Sequence, residues 1–286
     1  MRWSMGGDSS NVEDRRGSSG GFGGGGMRLG LGGTVVLLVL SAVFHKDFFA
    51  LVGGGDGSAA TQADGSVAPV RATPQEDSLV QFVTFVLNDD QTTWAKLLPD
   101  QAGVQYQAAH LVLFRDGIQT GCGTGQTAMG PFYCPLDHKV YIDLGFYDEL
   151  RRRFGAPGDF AQAYVIAHEL GHHVQTLVGI DQRMRRAQQA NPGQANALSV
   201  RLELQADCFA GVWGHSTQER SILEQGDVQE ALAAASAVGD DRIQKQQSGR
   251  INTDTFTHGS AEQRATWFKR GFDSGKMADC DTFASR

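Results

Sequence analysis

The pattern of apolar and polar residues divides the chain into four segments. Residues 1–28 are rich in glycine, serine, aspartate and arginine and offer almost nothing apolar to bury, which predicts a disordered tail. An almost unbroken apolar segment follows at residues 29–52, and a Gly/Ala/Ser-rich flexible linker occupies residues 53–74. Alternating and helical periodicity begins only beyond this linker, so a folded domain is expected over residues 75–286.

The apolar segment predicts a transmembrane helix. Its clean run from Leu29 to Phe44 is 16 residues long, slightly shorter than the roughly 17–25 residues of a spanning helix. Extending the run to Val52 brings in Lys46, whose long side chain can reach the membrane surface. A cleaved signal peptide and a buried core helix are the alternatives. The long polar leader argues against the first, and the Gly-rich flanks argue against the second.

Basic residues around the apolar segment predict its orientation. Arg15, Arg16 and Arg28 precede it, whereas only Lys46 follows closely. By the positive-inside rule, the N-terminal tail stays in the cytoplasm and the rest of the chain is exported. We therefore predict a single-pass protein of the inner cell membrane, with its folded domain in the periplasm or outside the cell.

The folded domain mixes strand and helix patterns, which predicts a mostly helical α+β fold with a small sheet. His110 to Phe114 and Val140 to Leu144 are predicted strands. Ser260 and Gln263 form a capping box before the last helix. The predicted helices cover residues 75–88, 159–178, 197–214, 227–245 and 261–272.

The candidate chemistry begins with His168-Glu169-Leu170-Gly171-His172, an H-E-x-x-H motif inside a predicted helix. Residues four apart share a helix face, so both imidazoles can bind one zinc ion. Glu169 lies about a hundred degrees around the helix, where it can take a proton from water activated by zinc. An amphipathic helix with surface His and Glu is the alternative. The preceding residues are apolar, however, and a buried polar cluster needs a partner such as a metal ion.

A third zinc ligand must come from elsewhere in the chain. Val178 lies where the extended motif H-E-x-x-H-x-x-G-x-x-H carries its third His. Glu203 and Asp207 are also four apart on a predicted helix, so one helix face presents two carboxylates. We predict that Glu203 is the third ligand and that Asp207 accepts the free imidazole N–H of a ligand His. A solvated acidic face is the alternative for this pair. The rival third ligands are His173, His215 and His258.

His258, which precedes the final helix, is predicted to stabilise the oxyanion that forms when water attacks a peptide carbonyl. Arg264 can do the same or brace the site, and Tyr133 and Tyr141 are further candidates. A loop His and a surface Arg are the alternative. One of the two predicted strands can align an extended substrate if it lies at a sheet edge, although either can equally be central.

Four cysteines allow three disulfide connectivities. Cys122 and Cys134 are near in sequence and would pin a Gly-rich loop, and Cys208 could then pair with Cys280. An extracytoplasmic domain favours disulfides over free thiols. A zinc role for Cys208 is disfavoured, because it lies about 140° around the helix from Glu203.

Longer segments resemble the bacterial neutral zinc metallopeptidase family. These are HELGHHVQ, ELQADCFAGVW, THGSAEQR, the N-terminal SSNVEDRRGSSGG, the loop CGTGQTAMGPFYCP and KVYIDLGFYDELRRRFG. The resemblance covers nearly the whole chain. It implies a zincin-like α+β domain of the gluzincin kind on a single-pass membrane anchor. It also implies His168, His172 and Glu203 as zinc ligands and Glu169 as general base.

The sequence thus predicts a zinc-dependent metalloendopeptidase that acts on protein or peptide substrates. Its formal net charge of −7 is spread along the chain, which argues against nucleic acid as a partner. A zinc-stabilised, membrane-tethered binding or adaptor protein with vestigial activity is the alternative. The presence of Glu169 argues against it, because a structural zinc site needs a closed fourth position and no nearby base.

Overall fold

The computed structural model describes residues 1–5, 7, 10–17 and 73–284. The predicted transmembrane segment 29–52 and nearly all of the predicted linker lie outside the described residues. Within the described part of the chain, no helix is long and apolar enough to cross a membrane. This part is mostly helical with a small sheet, which confirms the α+β prediction.

The described residues form helices and short strands in the following order. The helices are α1 (Pro74–Ala102), α2 (Gly145–Arg152), α3 (Asp159–Leu177), α4 (Ile180–Ala190), α5 (Ala195–Glu219), α6 (Asp227–Ala237), α7 (Asp240–Ser248) and α8 (Ala261–Ser274). The strands are β1 (Val12–Asp14), β2 (His110–Phe114), β3 (Gly117–Thr120), β4 (Gly123–Gln126), β5 (Phe132–Cys134) and β6 (Lys139–Asp143).

The main sheet has the strand order β1-β2-β6-β5, and β3 pairs with β4 in a separate hairpin. Strands β1, β2 and β6 are parallel, whereas β5 runs antiparallel to β6. The two strands predicted from the sequence, β2 and β6, are therefore both central. Neither can align a substrate as an added strand. The edge strands are β1 and β5, and β5, which the sequence did not reveal, contacts α3.

The described residues of Met1–Gly17 belong to the folded unit, so the prediction of a disordered tail is wrong for them. Strand β1 extends the main sheet beside β2. The N-terminal ammonium group of Met1 donates to the Asp159 carboxylate at 2.8 Å, and Trp3 packs edge-on against Phe82 with ring centroids 5.4 Å apart. The few apolar side chains and the terminal charge of this segment thus find partners that offset its ordering entropy.

Close helix packing brings α3 and α5 together. Gly171, inside the H-E-x-x-H motif, faces the α5 backbone, and an added Cβ there would lie 2.9 Å from the Ala206 carbonyl oxygen. Gly271 on α8 is tighter still, with a Cβ position 1.9 Å from the Cys208 carbonyl oxygen. These glycines let three helices approach at backbone distance, which places the side chains of α5 next to those of α3.

Two predicted helices differ from the structure. α1 continues past Asn88 because Trp94 and Leu98 extend its buried face, and it ends where Gly103 adopts a left-handed conformation. The predicted helix 227–245 is two helices, α6 and α7. They separate at Gly239, where a Cβ would lie 2.3 Å from the Ala261 nitrogen. Long-range packing overrides local helical preference at both places.

Both predicted disulfides are present. Cys122 pairs with Cys134, which ties the β3–β4 turn to edge strand β5. Cys208 pairs with Cys280, which ties α5 to a short 3₁₀ turn, Met277–Cys280, near the C-terminus. The prediction of disulfides rather than free thiols is confirmed.

Candidate metal centre

Three side chains from two helices converge on one point. His168 and His172 project from the same face of α3 with ring centroids 4.8 Å apart, and Glu203 projects toward them from α5. The Nε2 atoms of the two imidazoles lie 3.2 Å and 3.4 Å from Glu203 carboxylate oxygens. Two atoms bound tetrahedrally to one zinc ion at about 2.0–2.1 Å lie about 3.3 Å apart. The spacing and the donor set therefore fit zinc.

The charges around the two imidazoles and Glu203 favour a bound cation. Burial by itself would lower the pKa of His168, but the carboxylates of Asp207 and Glu203 outweigh burial and raise that pKa to about 10. Burial would raise the pKa of Glu203, yet His172 and His168 hold it well below its ordinary range. The carboxylates around the two imidazoles thus stabilise a positive charge here, and binding of a metal ion competes with protonation.

Asp207 fixes the orientation of His168. The Nδ1–H of His168 donates to an Asp207 carboxylate oxygen at 2.8 Å, which leaves Nε2 facing Glu203. The same carboxylate accepts two hydrogen bonds from the guanidinium of Arg264, at 2.8 and 2.9 Å, and one from the Tyr164 hydroxyl. Asp207 and Arg264 are almost completely buried. Arg264 thus braces Asp207, one of the two roles that the sequence left open for it.

His172 is oriented by Gln175, a residue that the sequence analysis did not assign to the site. The Nδ1–H of His172 donates to the Gln175 side-chain oxygen at 2.8 Å. Gln175 is fully buried and lies one helical turn beyond His172 on α3. Its position three residues after the second His was the available signal, because such residues share a helix face.

His258 lines the same cavity as His168 and His172. It is held by Asp240, a second residue that sequence reasoning missed. Its Nδ1 lies 3.2 Å from one Asp240 oxygen. The other oxygen accepts the backbone N–H groups of Thr257, His258 and Gly259 at 2.7, 2.7 and 3.0 Å. The hydrogen bond to Asp240 raises the pKa of His258, although burial opposes it. Asp240 thus fixes the His258 loop.

The other predicted third ligands have different partners. His173 donates from Nε2 to the Gln107 carbonyl at 2.6 Å and accepts from the Tyr133 hydroxyl at 3.0 Å. Burial lowers the pKa of His173 to about 4, so it is neutral. His215 donates from Nδ1 to the Phe272 carbonyl at 2.7 Å. Neither histidine belongs to the group that the structure brings together with His168.

Both tyrosines proposed for transition-state stabilisation also bond elsewhere. The Tyr133 hydroxyl is taken by His173, and the Tyr141 hydroxyl donates to Asp137 at 2.7 Å. His258, Arg264 and Tyr133 all line the cavity, but Arg264 is bonded to Asp207 and Tyr133 to His173. His258 therefore remains the best candidate for that role.

The three converging side chains and Glu169 open into a cavity of about 590 Å³. One stripe of α3, from Val165 to Thr176, forms its floor over roughly 16 Å at about 1.5 Å per residue. That length matches about five residues of extended peptide. Edge strand β5 supplies part of one wall. The apolar lining of the cavity includes Met129, Pro131, Phe132, Phe146, Phe154 and Val165.

Comparison with known proteins places the chain in a family. It is 51% identical to YpfJ of Escherichia coli K12 over 290 aligned residues, which cover 99% of each protein. It is 46% identical to Rv2575 of Mycobacterium tuberculosis H37Rv over 209 residues, covering 69% of this chain and 68% of that protein. No solved structure matches the chain.

Residues 1–283 match the family described as "Putative neutral zinc metallopeptidase". The match includes the N-terminal segment that packs against the domain as well as the converging histidines and carboxylates. Zinc is the cofactor that this family implies, in agreement with the donor set and spacing described above. The chain therefore belongs to this neutral zinc metallopeptidase family.

Proposed function

We propose that the protein is a zinc-dependent endopeptidase in which His168, His172 and Glu203 hold the metal ion and Glu169 is the general base. The convergence of the two Nε2 atoms with the Glu203 carboxylate, in a cavity that also contains Glu169, carries the proposal. The zincin-like assignment of the domain is part of this proposal. It is supported by the motif, by the family and by the position of edge strand β5 beside α3.

Bound zinc would polarise the substrate carbonyl and lower the pKa of water. The Glu169 carboxylate accepts the proton of the attacking water and passes it to the nitrogen of the leaving amine. His258, held at Nδ1 by Asp240, donates a hydrogen bond from Nε2 to the developing oxyanion. Asp207 and Gln175 keep the two ligand imidazoles in the orientation that presents Nε2.

The substrate in this proposal is an extended peptide aligned beside β5. An edge strand has unpaired backbone groups that can bond to an added strand. The apolar lining of the cavity, including Phe146 and Phe154, suits a substrate with large apolar side chains. An open cavity of this length favours cleavage within a chain over removal of a single terminal residue.

A peptide-library digest tests the proposal, with the full chain compared with Glu169→Gln. The full chain is needed because Met1–Gly17 pack against the domain. We expect the wild type to cleave peptides that carry large apolar side chains. The variant should bind zinc equally well but cleave about 10²–10⁴-fold more slowly.

Equal cleavage by both proteins would contradict the role of Glu169. A folded, zinc-loaded wild type that cleaves nothing would instead support the zinc-stabilised adaptor. The cavity that the three side chains line and the neighbouring Glu169 argue against that alternative.

We also propose that residues 29–52 attach the protein to the inner membrane and that the metal domain lies outside the cytoplasm. The apolar sequence supports attachment, and two disulfides fit an oxidising compartment. A single crossing would separate Met1–Gly17 from the metal domain, whereas β1 and β2 share a sheet. With β1 paired, both parts lie on one side of the membrane.

Labelling with a membrane-impermeant maleimide tests this arrangement in intact cells with a permeabilised outer envelope. Ser4→Cys and Gln246→Cys place single thiols at exposed positions of the two parts. Labelling of both variants supports export of the whole folded unit. Labelling of Gln246→Cys alone indicates the single-pass topology with β1 detached, and labelling of neither contradicts an exported domain.

A further inference from the structure

A chain of two buried amides leads away from His172. Gln175, which accepts from the His172 Nδ1–H, donates from its own nitrogen to the Leu202 carbonyl at 2.8 Å and to the Gln205 side-chain oxygen at 3.1 Å. Gln205 in turn donates to the Cys280 carbonyl at 3.0 Å. We call Gln175, Gln205 and the Cys280 carbonyl the amide relay. It connects α3, α5 and the 3₁₀ turn near the C-terminus.

The chemistry of its ends fixes the direction of every bond in the amide relay. Backbone carbonyls only accept, so the amide nitrogens of Gln175 and Gln205 must face Leu202 and Cys280. The oxygen of Gln175 is then left for His172, which must donate from Nδ1. His172 is therefore confined to the tautomer whose Nε2 lone pair faces Glu203. No charged group is needed to select it.

Burial makes the amide relay costly to interrupt. Gln175 is 0% exposed, Gln205 is 4% exposed and Cys280 is 0% exposed. A buried donor or acceptor that loses its partner costs about 1–3 kcal/mol. Cys280 is anchored through its disulfide to Cys208, which lies on α5 one turn from Gln205. The last acceptor of the relay is thus held covalently against the helix that also carries Glu203.

We propose that the amide relay is a positioning device for His172, and that the Cys208–Cys280 disulfide acts through it on zinc affinity. The proposal rests on the proposed zinc site and adds positioning residues to it. Gln175 bonds directly to the ligand His172, whereas Gln205 and Cys280 act through Gln175. Removing Gln175 frees the His172 ring to rotate and to exchange tautomers, so that zinc binding must also order it. Removing Gln205 or the disulfide loosens this hold less, because Gln175 keeps its bond to the Leu202 carbonyl.

The test measures zinc affinity of the full chain by competition with a chelating dye, starting from metal-free protein. Gln175→Leu keeps the volume and removes the hydrogen bonds, and we expect zinc to bind about 10–100-fold more weakly. Gln205→Leu and the pair Cys208→Ser with Cys280→Ser should weaken binding in the same direction by a smaller factor.

Two matched controls separate the amide relay from general loosening. Gln101→Leu removes a hydrogen bond to Met277, the first residue of the same 3₁₀ turn, and another to Gly275, just before it. It leaves Gln205 untouched. The pair Cys122→Ser with Cys134→Ser removes the other disulfide. Both controls should keep wild-type zinc affinity. Equal losses in controls and relay variants would overturn the proposal.

Nuclear magnetic resonance of the imidazole ring gives a readout that general destabilisation would not produce. In wild-type protein the His172 Nδ1 proton should be visible and slow to exchange with solvent, and in Gln205→Leu it should exchange faster. A zinc-loaded wild type whose His172 carries no proton on Nδ1 would overturn the proposal even if Gln175→Leu fails to fold.

Glu203→Gln distinguishes failure of the relay from failure of the zinc site. Wild-type affinity in Glu203→Gln would contradict the zinc site itself. Loss of binding in Glu203→Gln with wild-type affinity in Gln175→Leu and Gln205→Leu would contradict the amide relay alone.

Discussion

The two histidines of the metal centre are oriented by different chemistry. His168 donates to Asp207, a buried carboxylate neutralised by Arg264, whereas His172 donates to the neutral amide of Gln175. Both arrangements present Nε2 to the same point. The carboxylate also raises the basicity of its imidazole, which an amide does to a smaller extent. Orientation can thus be supplied without charge, but a charged partner ties metal binding to the stability of the core.

Charge balance explains why a charged group orients only His168, whereas a neutral amide orients His172. Glu203 and Asp207 place two buried carboxylates near the site, and Arg264 supplies one positive charge against them. Glu169 lies in the same cavity and brings the remaining negative charge to two, which a divalent cation offsets. A further carboxylate at position 175 would add repulsion to a buried site. Gln175 orients His172 without that cost.

The largest effect that separates the two sides is expected for Asp207→Leu. Removing this carboxylate leaves the Arg264 guanidinium buried without its ionic partner, which costs about 3–5 kcal/mol. Gln175→Leu interrupts neutral hydrogen bonds and should cost about 1–3 kcal/mol. Urea unfolding of the metal-free proteins measures both values. Equal losses would contradict the difference between the charged and the neutral side.

A substitution at the contact between α3 and α5 should affect both His168 and His172. Gly171→Ala places a Cβ 2.9 Å from the Ala206 carbonyl, so α3 and α5 must move apart. We expect a loss of about 1–3 kcal/mol from overpacking, together with weaker zinc binding. Gly179→Ala at the end of α3, where φ is +71°, tests strain without helix contact. It should destabilise the fold but leave zinc affinity near the wild-type value.

A double substitution separates stability from metal binding on the charged side. Asp207→Leu combined with Arg264→Leu removes the buried charges together, and replacing a buried ion pair by apolar residues is often close to neutral. The double variant should regain most of the stability that Asp207→Leu loses, to within about 1–2 kcal/mol of wild type. Its zinc affinity should stay low, because His168 still lacks an acceptor. Recovery of zinc affinity along with stability would show that Asp207 acts only through the core.

The smallest effect concerns the pair of His258 and Asp240. Burial opposes a low pKa for Asp240, but its hydrogen bonds from His258 and from backbone N–H groups lower it. The contribution of Asp240 is therefore present at neutral pH and is lost as pH falls through its lowered pKa. The pKa of His258 is raised, so its contribution is complete below about pH 6.5 and is lost as pH rises through the raised value.

Melting temperatures of wild type and Asp240→Asn, measured from pH 3 to pH 9, check this prediction. The difference between them should be largest between the two pKa values and shrink on both sides. Because half of the His258 side chain is exposed, the difference should be small. A difference that does not change with pH would contradict the ionic pair.

Local spacing was sufficient to find the side chains that converge on the candidate metal centre. His168 and His172, like Glu203 and Asp207, lie four apart on helices, so each pair shares a face whatever the tertiary fold. The partners of these residues were harder to find. Asp240 lies 18 residues before His258, which is in a loop, and stands at the first position of α7, directly after the break at Gly239.

The fold shows the same division between local and long-range information. The helices around the motif and the capping box at Ser260 follow from short patterns. Edge strand β5 has only three residues and no alternation long enough to predict. The N-terminal segment appears polar by itself, and its order depends on β2 and on Asp159, which lie far away in sequence.

The position of the metal ion tests the central claim most directly. An anomalous difference map at the zinc edge, from crystals of the zinc-loaded full chain, should contain one strong peak. This peak should lie about 2.0–2.2 Å from the Nε2 atoms of His168 and His172 and from a Glu203 oxygen. A second group of possible ligands consists of Asp159, Asp227 and Glu230. A peak there, with none between the two histidines, would contradict the account.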